Sequence, residues 1–183
     1  MSVLTAAAAV FLTAAASAAP RAAAPVKQEK TMVAASFECQ APSGWTRKVE
    51  GPDRMTMLGP ADVNGVSAAI SVRWVSPGDP STPDLETWYA RQTAAPLFEG
   101  TKPTEVLREL SVAGVKSRHL GRDTSEFVPP SARNTKEVPM REELVAVPAA
   151  KGFYLLTYYA PKSLHKKTRP VFESVLKSFK LKP

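Results

Sequence analysis

The sequence predicts an α+β domain in which two helices pack on a mainly antiparallel sheet of about six or seven strands. At the end of the chain, an apolar strand and a turn precede an amphipathic helix. The 183 residues include 17 prolines but only nine glycines, which favours short elements joined by stiff turns. Between two strand patterns, Asn64-Gly65 is typical of a tight hairpin turn.

The strands are predicted from alternating apolar residues bounded by turn residues. They are expected at 37–41, 54–58, 66–75, 105–110, 115–120, 143–147 and 153–159. Gly59-Pro60 is expected to stop the second strand. The proline-rich segment 128–136 is expected to form a long exposed loop before the last two strands and the final helix.

Two helices are predicted, at about 83–95 and 163–180. Thr82 followed by Pro83 is a typical N-cap and first-turn pair, so the first helix should begin there. Its buried stripe is Leu85, Trp88 and Tyr89. The second helix carries apolar residues at helical spacing but also contains Pro170, so 163–168 is expected to be a separate turn.

The N-terminal segment is typical of a targeting signal. Residues 3–16 are apolar apart from two threonines, and Ala16-Ser17-Ala18 fits the small-residue pattern that signal peptidase cleaves. We therefore expect a signal peptide at 1–18, a flexible Ala/Pro-rich leader at 19–35 and a folded domain at 36–183. This predicts an exported protein, in the periplasm or outside the cell.

The net charge of +7 is concentrated at the C-terminus, because 162–183 contains seven basic residues and one acidic residue. Such a surface favours anionic partners, and the predicted partner-binding residues are Lys162, Lys166, Lys167 and Arg169. The alternative is the solvated face of a helix that closes the domain. Aromatic residues do not alternate with these charges, so we expect no nucleic-acid partner.

Three tryptophans, Trp45, Trp74 and Trp88, are candidates for a ligand pocket between the first helix and the sheet. Aromatic residues at strand and helix spacing are more often part of the core, which is the alternative.

Catalytic and metal motifs are not found in the sequence. The single cysteine, Cys39, is expected to be a small buried hydrophobic residue. A role for His119 as a base or metal ligand is weighed against a hydrogen-bonded strand histidine, and His165 is expected to be solvated. The acidic residues Glu142 and Glu143 should point to opposite faces of a strand. A weak calcium site remains open at Asp53, Asp62 and Asn64. No metal site and no cofactor are predicted.

The sequence resembles the PsbP-like family, the extrinsic photosystem II proteins and their bacterial relatives. The resemblance spans roughly 36–181, and the segments that carry it are 37–45, 69–72, 84–88, 151–161 and 169–179. It implies an α/β/α sandwich around an antiparallel sheet, a non-enzymatic role, and a location across a membrane from the cytosol. No residue matches a photosystem-binding motif closely enough to be assigned a role.

These observations lead to one main hypothesis and two alternatives. The main hypothesis is an exported, non-catalytic PsbP-like domain, monomeric and at most peripheral to a membrane, that binds a protein or anionic envelope partner. The first alternative is a small-molecule or ion-binding domain. The second is a hydrolase, which requires His119 to lie within reach of a carboxylate and a nucleophile.

Overall fold

The computed structural model describes residues 28–32, 37–51, 53–78, 84–98, 101–130 and 133–182. The predicted signal peptide at 1–18 and residues 19–27 and 33–35 of the predicted leader lie outside these ranges. The described elements, in chain order, are β1 (Gln28–Met32), β2 (Phe37–Pro42), β3 (Thr46–Val49), β4 (Arg54–Ala61), β5 (Ser67–Val75), α1 (Leu85–Thr93), β6 (Glu105–Val106), β7 (Leu110–Val112), β8 (Val115–Val128), β9 (Lys136–Pro148), β10 (Phe153–Pro161), α2 (Lys162–Ser178) and β11 (Lys180–Leu181).

The main sheet has eight strands, and its neighbouring strands are antiparallel. Its order is β3-β4-β5-β10-β9-β8-β6, and β7 pairs separately with β8. This confirms the predicted α+β class, with a sheet slightly larger than expected. The predicted hairpin turn at Asn64-Gly65 is also present, because Gly65 has φ +81° and Asp62 accepts hydrogen bonds from the backbone of Asn64 and Val66.

A second, three-stranded sheet has the order β1-β2-β11. It joins the two ends of the described chain, because β11 pairs with the beginning of β2 and β1 pairs with residues 38–42 of it. The segment 28–32 was predicted to be part of a flexible leader, and the structure differs by placing it in this sheet. Four consecutive polar residues followed by one methionine give no apolar alternation from which strand β1 could be recognised.

The large apolar core lies between α2 and one face of the main sheet. Phe172, Leu176 and Phe179 are at most 8 % exposed, so the C-terminal helix is part of the core as predicted. The ring of Phe179 packs 5.8 Å from that of Phe37 and 5.5 Å from that of Tyr154. Aromatic pairs at these separations stabilise a core beyond their buried area. Phe179 therefore connects the small sheet to the main one.

Helix α1 covers part of the opposite face. Leu144 and Ala146 pack with Trp88 on this side, whereas Val145 and Val147 face α2, as expected for alternating residues of a strand. The two helices thus lie on opposite faces of the sheet. Among the described residues, no helix is both long enough and apolar enough to span a membrane.

Both predicted helices are present, but their starts differ from the predictions. Helix α1 begins at Leu85, and its N-cap is Asp84, whose Oδ1 accepts a 2.7 Å hydrogen bond from the backbone N–H of Thr87. A carboxylate at this position satisfies an unpaired helix N–H group, and the predicted cap Thr82 lies outside the described residues. Helix α2 runs without interruption through Pro170, so the separate turn predicted at 163–168 is wrong.

Strand β4 continues through Gly59 and Pro60, so the prediction that these two residues end the strand is also wrong. The pairing register with β5 shifts between Leu58 and Ala61, which accommodates the proline near the sheet edge. A Cβ atom at Gly59 would lie 2.6 Å from the ring of Trp45. The glycine is therefore required by close packing of the tryptophan over the strand.

Candidate functional site

The most unusual polar group in the protein is Glu143, a carboxylate buried at the centre of the main sheet. It lies in the middle of β9 between two neighbouring strands and is 3 % exposed. The side chain faces α2, whereas Glu142 contacts Arg122 on the other face. The prediction that these two glutamates point to opposite faces is therefore confirmed.

Three basic side chains surround the Glu143 carboxylate. Its Oε2 lies 3.1 Å from Nε2 of His119 on β8. Its Oε1 lies 3.0 Å from Nε2 of His165 and 2.8 Å from Nε of Arg169, both on α2. These residues, here called the Glu143 cluster, connect the last helix to two central strands. Burial alone would raise the pKa of Glu143, but hydrogen bonds from His119, Arg169 and His165 lower it to about 2.

Both ring nitrogens of His119 face oxygen acceptors. Nδ1 lies 3.2 Å from the backbone carbonyl oxygen of Arg108, and Nε2 faces Glu143. Both ring nitrogens are therefore already engaged within the protein. Of the two interpretations of His119 made from the sequence, the structure gives a buried, hydrogen-bonded strand histidine.

Tyr158 supports the Glu143 cluster from the neighbouring strand β10. Its hydroxyl lies 2.6 Å from Oγ1 of Thr168, which itself donates to the carbonyl oxygen of Leu164. Its ring stacks on Phe172 at 5.3 Å and contacts the ring of His165 at 5.6 Å. Burial raises the pKa of Tyr158 to about 12, so its hydroxyl remains a neutral hydrogen-bonding group. This packing fixes the position of His165.

A cavity of about 340 Å³ opens beside the Glu143 cluster, between α2 and the β7–β8 hairpin. Its apolar walls are Leu110, Val112, Phe172 and Leu176. The polar groups at its surface are Ser111, His119, Glu143, Arg169, Glu173 and Lys177. We call this space the α2 cavity. It combines an apolar interior with a small number of converging polar groups, a common arrangement in ligand-binding sites.

The four predicted partner-binding residues do not form one free surface. The Nζ of Lys162 lies 2.7 Å from Asp123, and Arg169 belongs to the Glu143 cluster. The hydrogen bond from Lys162 is the main cause that lowers the pKa of Asp123 to about 2. Lys166 and Lys167 are exposed on the outer side of α2. Only these two of the four are thus available to a partner without breaking an internal ion pair.

The three tryptophans predicted to line a pocket are divided between two faces of the sheet. Trp45 and Trp74 pack at the edge of the large core beside α2, whereas Trp88 belongs to α1 and is buried between this helix and the other face of the sheet. The ring of Trp88 lies 5.9 Å from that of Phe153 and occupies the space in which a ligand was expected. The prediction that all three tryptophans line a common pocket is therefore wrong.

The residues considered for ion binding and for catalysis have other partners. Asp62 uses its carboxylate within the hairpin turn, where it accepts three hydrogen bonds from Asn64 and Val66. In the described part of the chain, no group of three or more acidic, histidine or cysteine residues is arranged to hold a metal ion. Cys39 is buried as predicted, and burial raises the pKa of its thiol to about 12.

From the sequence, Glu143 was expected only to point away from Glu142, and its basic partners were not predicted. A signal was present, because Glu143 is in phase with the inward-facing residues Val145 and Val147 on an apolar strand. A glutamate at an inward position must be paired when buried. The identity of its partners could not be read from the sequence, since they lie 22 to 26 residues away on two other elements.

Together, the antiparallel sheet and the helices on its two faces define an α+β sandwich of the kind found in PsbP. The solution structure of cyanobacterial PsbP (CyanoP) from Synechocystis sp. PCC 6803 is similar, with a TM-score of 0.50 and 11 % sequence identity. The match covers 90 % of this chain and 98 % of that one. The PsbP resemblance is thus supported at the level of the fold.

Two further solved structures are similar to this chain. LpqN of Mycobacterium tuberculosis, described as involved in cell envelope biogenesis, is 14 % identical, with a TM-score of 0.49 and coverage of 86 % of this chain and 92 % of that one. The Saccharomyces cerevisiae Ran-binding protein Mog1p is 11 % identical, with a TM-score of 0.48 and coverage of 85 % and 95 %. No protein-family model and no curated protein matches the sequence.

Proposed function

We propose that this protein is a non-catalytic binding domain that holds a small apolar ligand in the α2 cavity. The observation that carries the proposal is the combination of apolar walls with a rigid polar end at the Glu143 cluster. The volume of about 340 Å³ is within the range of about 300–1,000 Å³ that is common for such sites. This corresponds to the small-molecule alternative from the sequence, but at a different place in the fold.

The hydrogen bonding of the polar end supports binding rather than catalysis. A general base needs an unshared lone pair that can take a proton from a nucleophile. Both nitrogens of His119 already face acceptors, and Glu143 already accepts from three basic side chains. Both residues are thus engaged within the cluster, which is suited to fixing the wall of a cavity.

The proposal can be tested with the fluorescent probe 8-anilinonaphthalene-1-sulfonate, which becomes brighter when its apolar rings leave water. We expect saturable binding by the native protein and its loss in Leu110→Trp, which fills the cavity from the β7–β8 hairpin. The matched control is Leu97→Trp, at a site that is 94 % exposed and outside the cavity lining. Equal binding by both variants, or no saturable binding by the native protein, would contradict the proposal. Near-UV circular dichroism checks that the variants are folded.

A second candidate function is the capture of a protein or anionic envelope partner by the exposed lysines of α2. Its support is the accessibility of Lys166 and Lys167 on the outer side of the helix. We expect Lys166→Glu with Lys167→Glu to weaken crosslinked recovery of the partner from a native envelope extract and to reduce its salt dependence. Lys151→Glu, in the exposed β9–β10 turn, is the control. Unchanged recovery with the α2 double variant would count against this function.

We also propose that the protein is exported, because the sequence at 1–18 has an apolar run followed by a small-residue cleavage pattern. The test is to isolate the protein from fractionated cells and to determine its mass. Export predicts a mature chain that begins at Ala19 and is recovered outside the cytosol. An intact N-terminus in the cytosolic fraction would contradict it.

A further inference from the structure

Helix α1 leaves a part of its sheet face uncovered, at strands β4, β5 and β10. A space of about 280 Å³ lies there, on the opposite side of the sheet from the α2 cavity. It is lined by Glu50, Arg54, Thr56, Ser71, Arg73, Leu155 and Thr157. We call it the β5 groove. Such an open and largely polar sheet face differs from the apolar contacts under α1.

Three hydroxyl side chains form one row across the β5 groove. Thr56 is directly opposite Ser71, and Ser71 is directly opposite Thr157 on the other side of the strand. All three are half-buried. Neighbouring strands lie about 4.8 Å apart, so three hydroxyl groups in a row can donate to oxygen atoms of one bound group.

Two arginines form the next row. Arg54 on β4 is directly opposite Arg73 on β5, and both line the same groove. Like charges opposite each other on neighbouring strands are unfavourable unless something compensates them. Glu50 lies 4.0 Å from Arg54 but also 3.3 Å from Lys48. The backbone of Arg73 is paired within the sheet, but within the described part of the chain its guanidinium group has no hydrogen bond or ion pair.

The charge in and beside the groove remains positive. The acidic groups are Glu50 and Asp53, which lines an adjoining space with both arginines. The basic groups are Lys48, Arg54 and Arg73. One positive charge is therefore uncompensated at the place where the two guanidinium groups meet the row of hydroxyls.

We propose that the β5 groove is a binding site for a tetrahedral oxyanion, above all a phosphate group. The two guanidinium groups would form charge-assisted hydrogen bonds with its oxygens, and Ser71 with its neighbouring threonines would donate to the remaining ones. Arginine suits this role because its planar group offers several donors in a fixed arrangement. A bound oxyanion would also remove the repulsion between Arg54 and Arg73. This site is independent of the α2 cavity.

The test is a titration of the isotopically labelled full chain with inorganic phosphate, followed by NMR at constant ionic strength. We expect saturable shifts confined to β4, β5 and β10, and binding at least about tenfold weaker in Arg73→Gln. The matched control is Arg47→Gln. Arg47 is exposed on β3 and is opposite the inward-facing Met57, so it lies on the other face of the sheet. The Arg47→Gln variant should therefore bind phosphate with the same affinity as the native protein.

A second arm distinguishes the sources of the phosphate group. Glycerol 3-phosphate supplies a soluble monoester, and vesicles containing phosphatidic acid supply the same group at a lipid surface. Binding of either that weakens in Arg73→Gln but not in Arg47→Gln supports the site and identifies its source. Equal weakening in both variants would reduce the effect to overall charge and overturn the proposal. The absence of saturable binding of any of the three probes would overturn it as well.

Discussion

At Glu143, one buried carboxylate connects three elements of the protein. His119 belongs to β8, while His165 and Arg169 belong to α2. Removing one partner of a buried charged network is costly, because the remaining charges lose their compensation. The Glu143 cluster therefore serves as an attachment between α2 and the sheet, beside its role as the polar end of the cavity.

We expect Glu143→Gln to lower the free energy of unfolding at pH 7 by about 3–5 kcal/mol. Urea unfolding followed by circular dichroism would measure this. The control is Glu109→Gln, which removes an exposed carboxylate paired with Lys116 and Arg118 and should cost much less stability. An equal, small loss in both variants would show that the buried network contributes little.

Because of Glu143, we also expect the stability of the folded protein to fall in acid. The pKa of Glu143 is about 2 in the folded protein, below its ordinary value of 4.5, so the unfolded chain binds the proton more tightly. Its stabilising contribution is therefore complete above pH 4.5 and is lost as the pH falls towards 2. The stability difference between the native protein and Glu143→Gln should shrink over this interval. A constant difference from pH 7 to pH 2.5 would contradict this account.

Among the elements, helix α2 departs most clearly from the local sequence preferences for helix formation. Pro170 lies inside the helix, at an exposed position, and lacks the N–H group that would donate to the carbonyl oxygen of Lys166. The helix continues because Val171, Phe172, Val175 and Leu176 are buried on its inner side. Tertiary packing here outweighs the local preference against proline.

We expect Pro170→Ala to raise the free energy of unfolding by up to about 3 kcal/mol, because alanine restores the missing hydrogen bond and has the highest helix propensity. Thermal unfolding would measure the gain. Lys167→Ala, an exposed substitution in the same helix, should change stability by less than about 0.5 kcal/mol. A loss of stability in Pro170→Ala would show that the shape imposed by proline is needed for the fit of α2 against the sheet.

The elements that could be predicted from the sequence are those with a repeating apolar pattern. Strand β10 and helix α2 have such patterns, and the Asn64-Gly65 turn has its own chemical signature. Strands β6 and β11 have two residues each, too few to show any alternation. The α2 cavity and the β5 groove depend on pairings between distant strands, which determine that Arg54 meets Arg73 and that Glu143 meets His119. Those pairings leave no local pattern in the sequence.

At the scale of the whole molecule, the two sheets share one aromatic cluster. Phe37 from β2, Tyr154 from β10 and Phe179 after α2 are in mutual contact. Removing a large buried aromatic side chain costs both its transfer from water and the cavity that remains. A single substitution here should therefore affect both sheets together.

We expect Phe179→Ala to lower the free energy of unfolding by about 3–5 kcal/mol, with one transition seen by both circular dichroism and tryptophan fluorescence. Phe98→Ala is the control, because Phe98 is 77 % exposed and its loss should cost less than about 0.5 kcal/mol. Two separate transitions in Phe179→Ala would indicate that the small sheet is stable without this contact, contrary to the expectation.

Strand β11, which pairs with β2, lies some 140 residues further along the chain. Until Phe179, Lys180 and Leu181 have been synthesised, the early strand lacks one edge and the main core lacks its last aromatic ring. The small sheet and its aromatic contact with the main core can therefore be completed only at the end of synthesis. Such late closure would suit the export proposed above, because a chain that crosses a membrane through a narrow pore must still be unfolded.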